Sequence, residues 1–231
     1  MKLALIGHGA MGQLVAAEAR KAGDDVGTII TSEDSAEDVD QLSATLQDHD
    51  AVIDFSVAGA VLKNIEACAR NGVPLVEGTT GWGHVEQARG IVEQHASALV
   101  YGANFSIGVN IFYRIVKQAA QLFASVDQYS PFIEEAHHLR KRDAPSGTAL
   151  RLRELMSEHL GSEIPTSSTR AGYIPGTHRV GFDSVADQIM LAHVARSRQG
   201  FAAGALFAAH WIVGKRGVFE FGEVIEEILR K

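Results

Sequence analysis

Residues 134–148 read Glu-Glu-Ala-His-His-Leu-Arg-Lys-Arg-Asp-Ala-Pro-Ser-Gly-Thr, a dense gathering of groups that can move a proton or hold an anion. His137 and His138 are adjacent, and Arg140, Lys141 and Arg142 follow in a chain whose formal net charge is -7. A packed interior rejects that density of charge, because each buried cation needs a partner. Pro145-Ser146-Gly147-Thr148, followed by a helix-forming run over 149–156, reads as a helix N-terminus. There the open N–H groups and the Ser146 and Thr148 hydroxyls would face whatever the basic run attracts. Cations beside a helix N-terminus form a site for a carboxylate or a phosphate. The Lys141 ammonium can pair with a substrate carboxylate and act as a proton donor. Arg140 and Arg142 read as solvated surface charge. Neighbours on a strand point to opposite faces, so a strand that persists through His138 would turn only one histidine into a given cleft. A strand that ends at the basic turn would let both converge.

Other chemistries fit the sequence less well. Of the 10 histidines, His137 and His138 lack i, i+4 spacing, and His178 and His193 fall in predicted strands, so no metal site is expected. Ser146 has no nucleophile-elbow signature, which disfavours a serine triad. The acidic balance argues against a nucleic-acid partner. Cys68 is the single cysteine, so no internal disulfide can form. It sits in the helical pattern Leu62, Ile65, Ala69, which suits an inert buried thiol. Gly7 comes too early for a signal-peptide core, and no apolar run reaches membrane-spanning length. A cytoplasmic protein with no membrane partner is expected.

The elements that must position the basic turn follow from periodicity. At 231 residues, with 46% hydrophobic and 21% charged content, the chain suits two modest lobes. An apolar strand over 3–6 enters Gly7-His8-Gly9-Ala10-Met11-Gly12, and Leu14, Val15, Ala19 and Ala22 recur at helical spacing. In that strand–turn–helix setting the glycines let the backbone approach a dinucleotide pyrophosphate. The second strand, 26–31, ends at Thr31-Ser32 with Glu33 beyond. Two hydroxyls suit a 2′-phosphate, whereas Glu33 would repel one and bind a free ribose diol, so NADH and NADPH both remain candidates. The acidic stretch 33–50 reads as a solvated loop or surface helix.

Strands over 51–56, 73–77 and 98–101 alternate with helices, which predicts a parallel, doubly wound sheet. Two of them open into Gly78-Thr79-Thr80-Gly81 and Gly102-Ala103-Asn104-Phe105 at their carboxyl ends, where such sheets bind ligands. A helix over 108–124, a strand over 129–136 and antiparallel strands over 166–198 form a second texture. An apolar helix from 201 to 214, a strand near 218–221 and a last helix close the chain. The fold class is thus α/β: a Rossmann-type parallel sheet domain plus an α+β domain with a mixed or antiparallel sheet.

With these residues assembled, the chain resembles the 4-hydroxy-tetrahydrodipicolinate reductase (dihydrodipicolinate reductase) family of diaminopimelate and lysine biosynthesis. The likeness runs through Asp54-Phe55-Ser56, Gly78 to Gly81, Ala103 to Asn110, and Glu135-Ala136-His137-His138 with Lys141. It continues through Asp143-Ala144-Pro145-Ser146-Gly147-Thr148, Arg170-Ala171-Gly172, Gly176-Thr177-His178 and Ser197-Arg198, and ends at Phe201 to Ala205. It implies a dinucleotide domain over 1–105 and 199–231, and a substrate-binding and oligomerisation domain over 106–198. It implies hydride transfer from NADH or NADPH to a cyclic unsaturated dicarboxylate with loss of water. His137 and Lys141 would be the acid/base pair, while His138, Ser146, Gly147 and Thr148 would bind substrate. Residues 7–12, Thr31, Ser32, Gly78, Thr79, Thr80 and Gly102 to Phe105 would bind cofactor, and the assembly would be a homotetramer. Three positions depart from the family pattern: the glycine loop is one residue short and lacks its arginine, Thr31-Ser32 replaces an acid or arginine, and Thr177 replaces a glutamate. An amino-acid dehydrogenase would have no need of residues 143–148 as they stand, and a catalytically dead nucleotide sensor would not keep His137, His138 and Lys141.

Overall fold

Short apolar runs that each meet a glycine or a turn at their carboxyl end dictate the first part of the chain. The computed structural model describes residues 1–31 and 38–230, which fall into two units, Met1–Ser106 with Gln199–Lys231, and Ile107–Arg198. In chain order the elements are β1 (Lys2–Ile6), α1 (Ala10–Lys21), β2 (Asp25–Ile30), α2 (Val39–Leu46), β3 (Ala51–Asp54), α3 (Val61–Arg70), β4 (Leu75–Glu77), α4 (Val85–Gln94) and β5 (Ala98–Tyr101). The second unit holds α5 (Ile107–Phe123), β6 (Ser130–His137), α6 (Gly147–Leu160), β7 (Thr166–Arg170), β8 (Thr177–Asp183) and β9 (Gln188–Val194). Then α7 (Gln199–Ile212), β10 (Gly217–Glu220) and α8 (Phe221–Leu229) return to the first.

The first unit is a six-stranded sheet in the order β10-β5-β4-β3-β1-β2, parallel at every pairing. Parallel strands need crossovers, and the helices supply them on both faces. On one face Val61, Ile65 and Cys68 of α3, with Ala88 and Val92 of α4, pack on Ala4, Ile6, Val52, Leu75 and Leu99. The acidic stretch proves more than a solvated surface. Asp38 caps α2 by accepting from Gln41 N at 2.9 Å, and α2 buries Leu42 and Leu46 in that same core.

The apolar α7 packs against α1 and the central strands, and small residues let it approach closely. A Cβ at Gly204 would stand 1.7 Å from the Phe105 carbonyl oxygen. Alanine there would gain about 1 kcal/mol of helix propensity. Overpacking of a tight core costs roughly 1–3 kcal/mol, and overlap with a backbone oxygen belongs at or above the top of that range. Gly204→Ala is therefore expected to lower stability by about 2 kcal/mol or more in urea denaturation; an unchanged midpoint would contradict the close approach.

The second unit is a four-stranded sheet in the order β7-β6-β8-β9. The segment after residue 166 was expected to be antiparallel throughout, and β8 and β9 are. β7 instead runs parallel to β6, because α6 intervenes and carries the chain back to start in the same direction. One sheet face packs under α5 and α6 around Phe112, Val116, Ile133, Leu152, Met156, Val180 and Phe182. The other face carries Phe132, Met190 and Val194, the last two 39% and 60% exposed.

Candidate active site

Strand register explains which side chains of the second unit meet. β6 buries Ile133, Glu135 and His137 on the helix-covered face. Glu135 lies opposite His178 of β8 and Ser168 of β7, and His137 opposite Arg170. Partners directly opposite in a sheet share a face, so one end of the sheet collects a carboxylate, two imidazoles and a guanidinium. Glu135, His137 and His178 are 3%, 7% and 4% exposed. β6 stops at His137, and the basic turn follows. His138 lies just past the strand and is half-buried.

The bonds within this cluster are specific. Arg170 Nη2 donates to Glu135 Oε1 at 2.7 Å, and His137 Nδ1 pairs with Glu135 Oε2. Burial works to raise the Glu135 pKa, but hydrogen bonds from Arg170 and Ser168 and the neighbouring positive charges outweigh it and hold the carboxyl at about 2. An ionised carboxylate only accepts, so His137 Nδ1 carries a proton and Nε2 is the atom left for exchange. Burial lowers the His137 pKa despite Glu135, and the charges of Lys141 and Arg170 push the same way. The ring is thus neutral near pH 7. Its Nε2 lies against Gly176, where a Cβ would stand 3.2 Å away.

His178 is also neutral, driven down to about 4 by burial and then by the His137 charge. Its Nε2 is 3.1 Å from Ser146 Oγ. Ser146 is the N-cap of α6, accepting from Ala149 N at 3.3 Å, while its own N–H donates to Glu135 Oε1 at 3.3 Å. The buried Ser146 is therefore tied into the scaffold, and Gly147 begins the helix exposed beside it. Thr148 follows within the first turn, half-buried. Lys141 Nζ lies 2.8 Å from Asp143 Oδ1, both on the surface turn.

Donor atoms of Glu135, His137 and His178 lie within 4.8 Å of one another, as a cation site would need. The Arg170 guanidinium already pairs with that carboxylate, and Ser146 N donates to the same oxygen.

In the first unit, Gly7 sits at φ +91°, and a Cβ on Gly12 would stand 2.0 Å from the Gly7 carbonyl oxygen. Only glycine fits such a turn. Gly9 is the N-cap of α1 and supplies no side-chain cap, and the first turn carries no acid. The first N–H groups of α1 thus face neither a side-chain cap nor an acid of their own turn. His8 and Ala10 are exposed and Met11 half-buried along the same turn. Thr31 directly follows β2, whereas Ser32 lies outside the described residues.

Gly78, Thr79 and Thr80 leave the end of β4, with a Cβ on Gly78 meeting the Phe55 ring at 2.2 Å. Gly102, Ala103, Asn104 and Phe105 leave β5. There Asn104 Oδ1 accepts from Ser106 N at 2.9 Å, and the buried Phe105 ring packs on Phe55 and Phe221. The turns after β1, β4 and β5 all lie at carboxyl ends of parallel strands, the ligand-binding edge of such sheets.

The sequence reading did not assign Glu135, Arg170 and His178 to the site, nor the buried acids Asp54 and Glu77. Glu135 and His137 at i, i+2 on a strand were a usable signal. So were single acids closing two otherwise apolar strands.

A six-stranded parallel sheet of the Rossmann type and a second unit with a buried histidine–carboxylate cluster make up the fold, and its relatives place the chain among oxidoreductases. Family models for the N-terminus and C-terminus of dihydrodipicolinate reductase match residues 1–105 and 108–225, and the chain belongs to that family. It is 37% identical, over the full length of both chains, to the 4-hydroxy-tetrahydrodipicolinate reductase of Christiangramia forsetii. It is 38% identical to that of Methanosarcina barkeri, with 81% of this chain and 78% of the relative covered. Among solved structures, a dipicolinate-bound dihydrodipicolinate reductase from Paenisporosarcina sp. TG-14 superposes with TM-score 0.76 at 20% identity, over 95% of this chain and 97% of that one. An amine dehydrogenase from Mycobacterium smegmatis shares the fold at TM-score 0.60 and 10% identity, over 96% and 95%. The chain is an oxidoreductase that reduces 4-hydroxy-tetrahydrodipicolinate in diaminopimelate and lysine biosynthesis, and reductases of this family use a nicotinamide cofactor. No described helix is long and apolar enough to cross a membrane.

Proposed function

We propose that Lys141 is the proton donor of this reduction and that His137 is its neutral partner, accepting at Nε2. The observation that carries the assignment is the Glu135 carboxylate on His137 Nδ1. It fixes the tautomer and leaves one basic nitrogen, so the charged lysine is the group with a proton to give. His138, Gly147 and Thr148 hold the substrate carboxylates at the start of α6, with Ser146 shaping the turn from beneath. The unit 107–198 is the substrate domain, and the unit 1–106 with 199–231 is the dinucleotide domain. A bound reduced nicotinamide supplies the hydride. Residues 7–12 cradle the pyrophosphate, Thr31 flanks the adenosine ribose, and Gly78 to Thr80 with Gly102 to Phe105 line the nicotinamide end.

Dipicolinate, bound to the Paenisporosarcina enzyme, shares the paired carboxylates expected of the substrate. The uncovered sheet face bearing Phe132, Met190 and Val194 suits burial against further copies of the chain in a homotetramer. A cytoplasmic setting agrees with the single buried Cys68.

Oxidation of NADH and of NADPH, followed with freshly generated 4-hydroxy-tetrahydrodipicolinate, tests the assignment. Turnover is expected with one or both, with dipicolinate competing against substrate. Tight dinucleotide binding without turnover would mark a nucleotide-sensing protein instead.

A further inference from the structure

Two carboxylic acids lie wholly inside the first unit with no cation beside them among the described residues. Asp54 ends β3, Glu77 ends β4, they are register partners, and both are 0% exposed. Their acceptor positions are filled unequally. Asp54 Oδ1 takes Ser56 N at 2.8 Å and Asp54 Oδ2 takes Asn64 Nδ2 at 2.7 Å. Glu77 Oε1 takes Thr79 N at 2.6 Å, while Glu77 Oε2 is buried with no N–H donor facing it. Two buried anions side by side are prohibitively costly, and one shared proton removes the cost. The proton belongs on Glu77, whose Oε2 is vacant, and Asp54 keeps the charge that its two N–H partners require.

The pair is also a fastening. Ser56 N reaches Thr79 Oγ1 at 3.0 Å as well as Asp54, and Asn64 Nδ2 reaches Ser56 Oγ at 3.3 Å. The turn after β3 and the Gly78-Thr79-Thr80 turn after β4 are thereby tied to each other through the two acids. We propose that Asp54 and Glu77 are positioning residues, a proton-sharing pair that holds the Thr79 turn in shape for the nicotinamide end of the cofactor. Loss of the shared proton would loosen that grip. The inference rests on the cofactor assignment above.

Burial, and after it the Asp54 charge, raises the Glu77 pKa to about 9, so the switch falls in a measurable range. Asn64 and Cys68 of α3 and Tyr101 of β5 face the pair, with Ala88 and Val92 of α4 beyond. Burial pushes the Cys68 thiol well up, and the two acids push it further. Tyr101 is raised by burial and by Glu220 and Glu223. Neither therefore ionises before Glu77.

The test measures dissociation constants for NADH and for ADP-ribose, which lacks the nicotinamide, between pH 6.5 and 9.5. NADH affinity of the unaltered chain is expected to fall about threefold to fourfold across that range, close to the limit that a Glu77 pKa of about 9 sets at pH 9.5, and ADP-ribose affinity to stay unchanged. In Glu77→Gln, whose amide stays uncharged and can donate to Asp54, the ratio of the NADH constants at the two pH values should be near one. Asp54→Asn sets an amide donor against Ser56 N or Asn64 Nδ2 and should weaken NADH binding already at pH 6.5. A flat NADH profile in the unaltered chain overturns the proposal. Equal weakening of ADP-ribose overturns it too, since that reports general loosening. The same titrations are run with NADPH where it binds more tightly, and absence of binding of both NADH and NADPH at pH 6.5 would instead sink the cofactor assignment, and the inference with it.

Discussion

Lys141→Ala is expected to reduce kcat by roughly 10²–10⁴-fold, the usual worth of a positioned general acid, while NADH binding stays close to that of the unaltered chain. Lys141 lies on the turn after β6, and its visible partner is Asp143 at 2.8 Å. Asp143 is 55% exposed at its side chain, so removing its partner strands no buried charge. Exposed pairs contribute about 0–1 kcal/mol, and the fold should survive with little change in its urea midpoint. His137→Ala makes an informative contrast. His137 is buried against Glu135, and its loss leaves a cavity beside a carboxylate still held by Arg170, Ser146 N and Ser168. Activity and stability should fall together there, whereas in Lys141→Ala they should separate. Steady-state kinetics beside dinucleotide fluorescence titration reads this out. Turnover near that of the unaltered enzyme in Lys141→Ala would remove the lysine from the mechanism.

How much of this was legible beforehand depends on whether the cause was local. The glycines at 7, 9 and 12 announce a strand–turn–helix because the steric demand is set within one turn. The start of α6 was readable because Ser146 can cap it and Gly147-Thr148 can open it. The end of β6 at His137 was not settled, because a strand ends where its partners end. β8 begins at Thr177 opposite Ala136 and β7 ends at Arg170 opposite His137, and neither pairing is written in residues 130–138. The same non-locality hid Arg170, which reaches Glu135 from 35 positions away. It also hid the parallel direction of β7, which depends on α6 crossing the sheet. Within residues 143–148, Ser146 showed a hydroxyl ready for a ligand. The structure shows that hydroxyl spent on the helix cap and on His178, a commitment visible only once β8 is in place.

The buried acid pair should also govern how stability depends on pH. Glu77 has a folded-state pKa of about 9 against an ordinary value of 4.5, and Asp54 is raised as well, by burial. Between those two values the folded state holds a proton that the unfolded chain has lost. Stability from this source is therefore complete below about pH 4.5 and falls as pH rises through about 9, by up to about 1.4 kcal/mol per pH unit. Against a total of roughly 5–15 kcal/mol for a typical domain, a loss of several kcal/mol is decisive. Glu135 acts in the opposite sense, since its pKa of about 2 gives stability that is present above about 4.5 and lost on acidification. Maximum stability should thus lie on the mildly acidic side of neutrality. From pH 6 to pH 9 the Tm should fall by roughly 10 °C, taking about 2–4 °C per kcal/mol for a chain of this size. The Met1 amino group, raised by its bond to Asp24, titrates in the same direction, so the slope alone does not identify its source. Glu77→Gln does, because it removes the titrating group while keeping an acceptor for Thr79 N and a donor for Asp54. Calorimetry of that variant should show a higher Tm at pH 9 than the unaltered chain and most of the slope gone. A variant that retained the full slope would mean that Glu77 is ionised in the fold, and that the charge of the acid pair is balanced by some group other than a shared proton.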